Sequence, residues 1–271
     1  MILVDAQGLA VSRPGRPLFA DLDVTVATGD RLAVVGINGT GKSTLLKVLA
    51  GAVEPEAGTV RRGRGLRLSH LDQDAPLPGG TVRQVVGGGW EVEAILDRLE
   101  LGDALDLDVD RLSGGQAKRV ALARALAAVG GDGGRAGEED LLVLDEPTNH
   151  LDRDAIEWLE EWLAGFGGGL LMVTHDRHVL DRVTNRILEL DRGRGHVHDG
   201  GYQSYLDARA EREERAARGE QVRRNLARSE LAWLRRGAPA RTRKPRARVE
   251  AATALVGARA EAAARRGELP L

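Results

Sequence analysis

The stretch RLAVVGINGTGKSTLLKVLA, residues 31–50, constrains the fold more than any other part of the chain. A continuous apolar run, RLAVVG at 31–36, ends in glycine and passes at once into a helical pattern, KSTLLKVLA, that Gly51 stops. Such a run reads as a buried parallel strand feeding a helix. Between the two lies Gly36-x-x-x-x-Gly41-Lys42-Ser43, the phosphate-loop pattern in the strand–loop–helix context it requires. Glycines let backbone N–H groups turn inward around phosphate oxygens, and the following helix points its positive end at them. The candidate nucleotide contacts are therefore Gly36, Asn38, Gly39, Thr40, Gly41, Lys42, Ser43 and Thr44. Lys42 supplies a point charge for the β- and γ-phosphates, and the Ser43 hydroxyl is a candidate Mg2+ ligand.

The rest of the chain builds an α/β core around that unit. Apolar runs of strand length recur at 141–145 (LLVLD), 170–174 (LLMVT) and 187–191 (ILELD), separated by helical stretches such as DAIEWLEEWLAGF. The first sixty-odd residues differ. ILVDA, LAVS, FADLDVTVA and GTVRRG read as short strands with turn punctuation, which suits an antiparallel β-layer. A small helical subdomain is expected at about 74–129, and GGDGGRAGEE (130–139) reads as a surface loop with nothing to bury. After Tyr205 comes a polar run rich in helix formers, with Leu226, Trp233 and Leu234 as its few apolar anchors. It breaks at Gly237-Ala238-Pro239, passes the basic turn ARTRKPRAR and resumes as a second helical pattern, which predicts a helical hairpin. The expected division is a cassette over 1–204 and a hairpin over 205–271.

Charge divides the chain at nearly the same place. Residues 1–208 hold 22 Lys/Arg against 33 Asp/Glu, a net of −11, whereas 209–248 hold 14 against 5, a net of +9. An acidic globular part with an Arg-rich appendage points to a polyanion, most plainly nucleic acid, the bland reading being a solvated helix. The absence of cysteine excludes a disulfide framework and a thiolate zinc site. No apolar run is long enough to cross a bilayer, and MILVDAQ lacks the pattern of a secretion signal, so no membrane insertion and a cytoplasmic location are expected.

LLVLDE (141–146) is an apolar strand that delivers two carboxylates at its end, where ligands gather in open α/β sheets. Asp145 is a candidate Mg2+ holder, and Glu146 a candidate to orient or deprotonate an attacking water. His175 follows the next strand and arrives at the same sheet edge, where it can hydrogen-bond a transferring phosphoryl group or simply serve the structure. Gln73, after RLSHLDQ, can reach Mg2+ or the water as a neutral amide. LSGGQ (112–116) opens a helical pattern with a serine and two glycines, the composition of a second anion site.

In that order, the phosphate loop, Gln73, LSGGQ, LLVLDE, Asn149-His150-Leu151-Asp152 and His175 resemble the nucleotide-binding cassette of the ABC superfamily. The resemblance implies a P-loop NTPase cassette: an antiparallel β-layer, a mostly parallel core sheet and a small helical subdomain. It also implies an ATPase that binds ATP and Mg2+, with Ser43, Gln73 and Asp145 at the metal and Glu146, His175 and Gln73 at the reacting phosphate. Leu112, Ser113, Gly114, Gly115 and Gln116 would bind the ATP held by a second cassette, in cis or in trans, packed head to tail. LDEPTNHLD (144–152) is similar to the ABC-F family, and ELAWLRRGAPARTRKPRAR (230–248) resembles the linker of its Uup-like branch. That resemblance implies action on the ribosome or tRNA, with Arg235, Arg236, Arg241, Arg243, Lys244, Arg246 and Arg248 as the candidate RNA contacts. Two features depart from the family. Only 38 residues separate Gln73 from Leu112, too few for the usual helical arm, and Arg13 stands where an aromatic ring would stack on adenine. Arg13 can stack on the base or be a surface charge. Because ABC-F chains hold two cassettes, this one is expected to be an N-terminal cassette with part of the interdomain linker. The other classes considered are the nucleotide-binding subunit of a membrane transporter and a DNA-associated ABC ATPase.

Overall fold

The computed structural model describes residues 1–13, 16–73, 76–130 and 140–235. In chain order the strands are β1 (Ile2–Arg13), β2 (Arg16–Ala27), β3 (Arg31–Val35), β4 (Ala57–Arg62), β5 (Arg67–Leu71), β6 (Asp140–Asp145), β7 (Gly169–Val173), β8 (Arg186–Asp191) and β9 (Arg194–Asp199). The α-helices are α1 (Lys42–Ala50), α2 (Val82–Val86), α3 (Trp90–Arg98), α4 (Gly114–Gly130), α5 (Arg153–Gly165), α6 (Arg177–Val183) and α7 (Tyr202–Arg235). The strands form a three-stranded antiparallel sheet, β2-β1-β4, and a six-stranded sheet, β5-β6-β7-β3-β8-β9. The larger sheet is parallel except for β9.

The continuous apolar runs are strands buried on both faces, as parallel sheets require. In β6, Leu142 and Leu144 join one core with α4, α5 and α6, whereas Leu141 and Val143 join a second core with α1 and the antiparallel layer. β7 divides likewise, Leu170 and Met172 against Leu171 and Val173. The central strand β3 is bracketed by β7 and β8, so the loop that follows it emerges at the middle of the C-terminal sheet edge. At the far side, fully buried Asp140 accepts two bonds from Arg67, Nε at 2.6 Å and Nη2 at 2.9 Å. This bidentate pair holds β5 on β6, and the chain leaving β5 carries Gln73 to the same edge.

The structure differs from the sequence reading in three places. ILVDA and LAVS are one strand: the break at Gly8 (φ +61°) is a bulge, with the register against β2 shifting between Ala6 and Leu9. β9 and α6 had no counterpart in the reading, whereas α2 and α3 lie in the span of about 74–129 read as helical. Leu226 is half exposed along α7, so it anchors nothing there. The helix instead carries pairs one turn apart, Arg209–Glu213, Arg215–Glu211 and Arg218–Glu214. Trp233 and Leu234, the loop at 131–139 and the second half of the hairpin lie outside the residues and side chains described.

β9 closes on the antiparallel layer at Gly195, where an added Cβ would stand 2.0 Å from Leu22 Cδ1 and 3.2 Å from Leu188 Cδ1. Gly195→Ala is therefore expected to cost about 1–3 kcal/mol, through overpacking. Urea unfolding should show a lower midpoint at unchanged slope; an unaltered midpoint would refute the close approach.

Candidate nucleotide site

The phosphate loop is shaped by its own glycines and by Lys42. Gly36, Gly39 and Gly41 take positive φ (154°, 80° and 102°), and the Gly51 cap that ends α1 does the same at 86°. Lys42 Nζ donates to the carbonyls of Gly36 (2.9 Å) and Ile37 (3.4 Å), so the side chain curls inside the loop it follows. Burial holds its ammonium below the usual lysine range, with Glu146 and Asp145 pulling the other way.

Asp145 and Glu146 leave β6 beside this loop. Asp145 is 3% exposed, and its Oδ1 is buried with no hydrogen-bond partner. The Ser43 hydroxyl hydrogen-bonds the same carboxylate; burial raises its pKa, the Ser43 bond lowers it and nearby Asp72 raises it further. A buried carboxylate oxygen left unpaired next to a serine hydroxyl is the donor set that suits a hard cation, so the residues present fit Mg2+. Glu146 sits in the left-handed region (φ +51°) with its N–H on Val173 O at 2.9 Å, which fixes it across from the end of β7. His175 Nε2 lies 3.3 Å from Glu146 Oε1. Burial pushes the Glu146 carboxyl up, and His175 opposes that shift.

A cleft of about 360 Å3 collects Arg13, Asn38, Gly39, Gly41, Lys42, Ser43, Thr44, Gln73, Asp145, Glu146 and His175 along its walls. Residues separated by up to 162 positions thus meet in one place, Arg13 from the β1–β2 hairpin included. Three residues not foreseen support the site from behind. Lys47 of α1 bonds Asp72 at 2.9 Å, tying the helix of the phosphate loop to the residue just before Gln73. His70 Nε2 is buried without a partner, and burial lowers the pKa of its ring, which favours the neutral imidazole. Their signal in the sequence is only the register of β5, which no local pattern prints.

LSGGQ stands elsewhere. None of Leu112–Gln116 lines the phosphate cleft; Gly114 instead opens on a second cleft with Glu146, Pro147 and Asn149. Ser113 and Gln116 form a reciprocal cap of α4: Ser113 N donates to Gln116 Oε1 (3.0 Å), and Gln116 N to Ser113 Oγ (3.3 Å). Nothing lies within 4 Å of a Cβ built on Gly114. Asp152 caps α5 through Ala155 N at 2.8 Å, and His150 before it takes φ +68°. Arg235 ends α7, its side chain not described, and Arg236, Arg241, Arg243, Lys244, Arg246 and Arg248 lie outside the described residues.

Comparisons with known proteins agree with this geometry. The family described as "ABC transporter" matches residues 19–149. An uncharacterized ABC transporter ATP-binding protein of Bacillus subtilis, YfmR, is 37% identical over 92% of this chain and 46% of its own length. The energy-dependent translational throttle protein EttA of Mycobacterium tuberculosis is 36% identical (86% and 48%), and that of Escherichia coli K12 is 34% identical (87% and 50%). The chain spans about half the length of the curated relatives it matches. A solved ATP-binding subunit of an ABC transporter superposes with a TM-score of 0.60 at 21% identity, over 73% of this chain and 90% of that one, which establishes the fold. Among the described residues no helix is long and apolar enough to cross a membrane.

The raised carboxyls carry a stability signature. A folded-state pKa above the unfolded value means that the folded chain binds more protons, so stability falls as pH rises through that window. Without nucleotide or metal, Asp145→Asn should be more stable than the parent at about pH 7, with the gap closing toward about pH 4. Urea midpoints across that range measure it, and a constant gap would contradict the burial argument.

Proposed function

The chain belongs to the ABC superfamily of ATP-binding cassettes, to its ABC-F type, and from that premise we propose that it is an ATPase half-site acting on the ribosome. The observation that carries the ATPase reading is the cleft that unites Lys42, Ser43, Gln73, Asp145, Glu146 and His175. The loop N–H groups and Lys42 would receive the ATP phosphates, and Ser43, Gln73 and Asp145 would hold Mg2+, which when bound would supply positive charge to the phosphate oxygens. Glu146, made more basic by burial, accepts the proton of the attacking water, and His175 beside it fixes the direction of its carboxylate.

Separation of LSGGQ from this cleft supports the second part of the reading. None of Ser113, Gly114 and Gly115 lines the cleft around the phosphate loop, which supports the reading that they serve the nucleotide of a second cassette. ATP held between Lys42 of one cassette and Ser113 of the other favours the closed pair by differential affinity, and hydrolysis releases it. The partner reading rests on resemblance to the translational throttle proteins and on the charge segregation of the chain: cassette 1–204, then a basic linker over 205–271 that meets RNA.

Glu146→Gln should keep ATP affinity within about threefold and lower turnover at least about 100-fold, measured by nucleotide titration and phosphate release. Turnover per chain should rise with chain concentration or on addition of a second cassette; a specific activity independent of concentration would defeat the half-site reading. Ribosomes and tRNA should outcompete duplex DNA for the 271-residue chain in competition binding. The opposite ranking would replace the translational reading with a DNA-associated one.

A further inference from the structure

A further groove lies on the other side of the phosphate loop, with Gly39 common to it and the phosphate cleft. It has a volume of about 720 Å3 and runs between β2 and the β8–β9 turn. Arg16, Arg192, Arg194 and His196 line it, with Ile37 and Thr40 of the phosphate loop as its floor. All four basic side chains are exposed, and Ile37 is 71% exposed. Arg16 and Arg194 have no ion pair among the described residues, and Arg192 has only Asp191 at 3.9 Å. Asp21 and Asp191 are the acids beside them. This is a cationic furrow in a region whose net charge is −11 over residues 1–208, so it is not an average sample of the surface.

Its construction is rigid, and one position in it is strained. β8 and β9 pair from Asp191↔Arg194, leaving a two-residue turn of Arg192 and Gly193, both at positive φ (48° and 79°). Such turns favour Asn-Gly or Gly-Gly, and a long side chain in the left-handed region is strained. A guanidinium thus occupies the position where stability alone would place asparagine or glycine. Gly193 O accepts from Ala20 N at 3.0 Å, and Gly195 packs on Leu22, so the turn is pinned to β2 and presents its cations from a fixed frame. Phe19 in the lining is 1% exposed and out of reach, so any stacking falls to His196 and the guanidinium planes, which accept every base alike.

We propose that this groove docks the phosphodiester backbone of RNA, without regard to base sequence, alongside the basic linker. The inference rests on the RNA partner of the proposed function and adds a contact surface on the cassette itself. Guanidinium groups match phosphate geometry through paired N–H donors, and neutralised phosphates release counterions, which makes the contact steeply salt-dependent.

The test uses the 271-residue chain and the double variant R192G/R194Q. Glycine suits the left-handed turn position, so the variant should melt at the same temperature as the parent or higher. Anisotropy titrations with labelled tRNA and with a single-stranded RNA should show affinity reduced at least about tenfold at low salt. The slope of log K against log salt should become shallower by about 1.5 to 2, two phosphate contacts fewer. Adding R16Q should lower affinity further, and ATP affinity should not change. Unchanged RNA affinity and salt slope would overturn the proposal. So would a loss of ATP affinity in place of RNA affinity, which would assign the groove to the nucleotide, or a change confined to self-association. If the parent chain binds no RNA, the proposed function fails together with the groove. If it binds, and only substitutions at Arg235, Arg236 and Arg241 weaken it, the function stands and the groove falls.

Discussion

Close approach of neighbouring strands to two glycines, by backbone at Gly36 and by side chains at Gly41, is the constraint from which the rest of the cassette follows. A Cβ on Gly36 would stand 2.5 Å from Leu190 O, and one on Gly41 would stand 3.1 Å from Leu18 Cβ and 3.2 Å from the Phe19 ring. The phosphate loop therefore lies flat against β8 on one side and β2 on the other, and no other residue type permits both contacts. Through the first contact the loop sits at the centre of the six-stranded sheet. Through the second, the antiparallel layer is drawn over it, which brings Arg13 to one wall of the phosphate cleft and Arg16 to the groove behind. The two faces of one loop thus line two clefts.

What was legible in the sequence is what a local period or a local motif prints. β3, β6, β7 and β8 are unbroken apolar runs because they are covered on both faces, and α1, α4 and α5 carry a helical spacing that their buried residues obey. β9 is different: in RGHVHD the outer residues are polar and exposed, and its inward positions include Gly195, whose value is the absence of a side chain. An edge strand built that way has no apolar signature. The helices α2 and α6 are five and seven residues long, too short to establish a period. At the site, single positions such as Lys42, Asp145 and Glu146 were readable from their motifs. The Lys47–Asp72 tie was not, since it joins residues 25 apart through the register of two elements.

Placing these groups together works against stability. Two carboxylates and an ammonium share one half-buried cleft, burial disfavours the charged form of each, and Asp145 Oδ1 is left unpaired. Glu146 and His150 add left-handed backbone at a turn where glycine would be easier. A fold selected for stability alone would fill Asp145 with an apolar side chain, as β6 does at every preceding position from Leu141 to Leu144. The surrounding core absorbs the cost because both faces of β6 are fully packed. Strain and unpaired charge then mark the position at which a cation and a polyphosphate would be stabilising.

The same reasoning separates the two glycine-rich segments that first look alike. In the phosphate loop every polar group of Lys42 turns inward, onto the carbonyls of its own loop. In LSGGQ the side chains of Ser113 and Gln116 are spent on each other, closing the first turn of α4, while Gly114 faces open space. This is a capped helix start with Gly114 open to solvent and Gly115 under His150. Its cleft shares Gln73, Asp145 and Glu146 with the phosphate cleft but none of the loop glycines. A ligand at Gly114 would meet α4 and the shared carboxylates but not the phosphate-loop glycines, which agrees with the half-site reading proposed above.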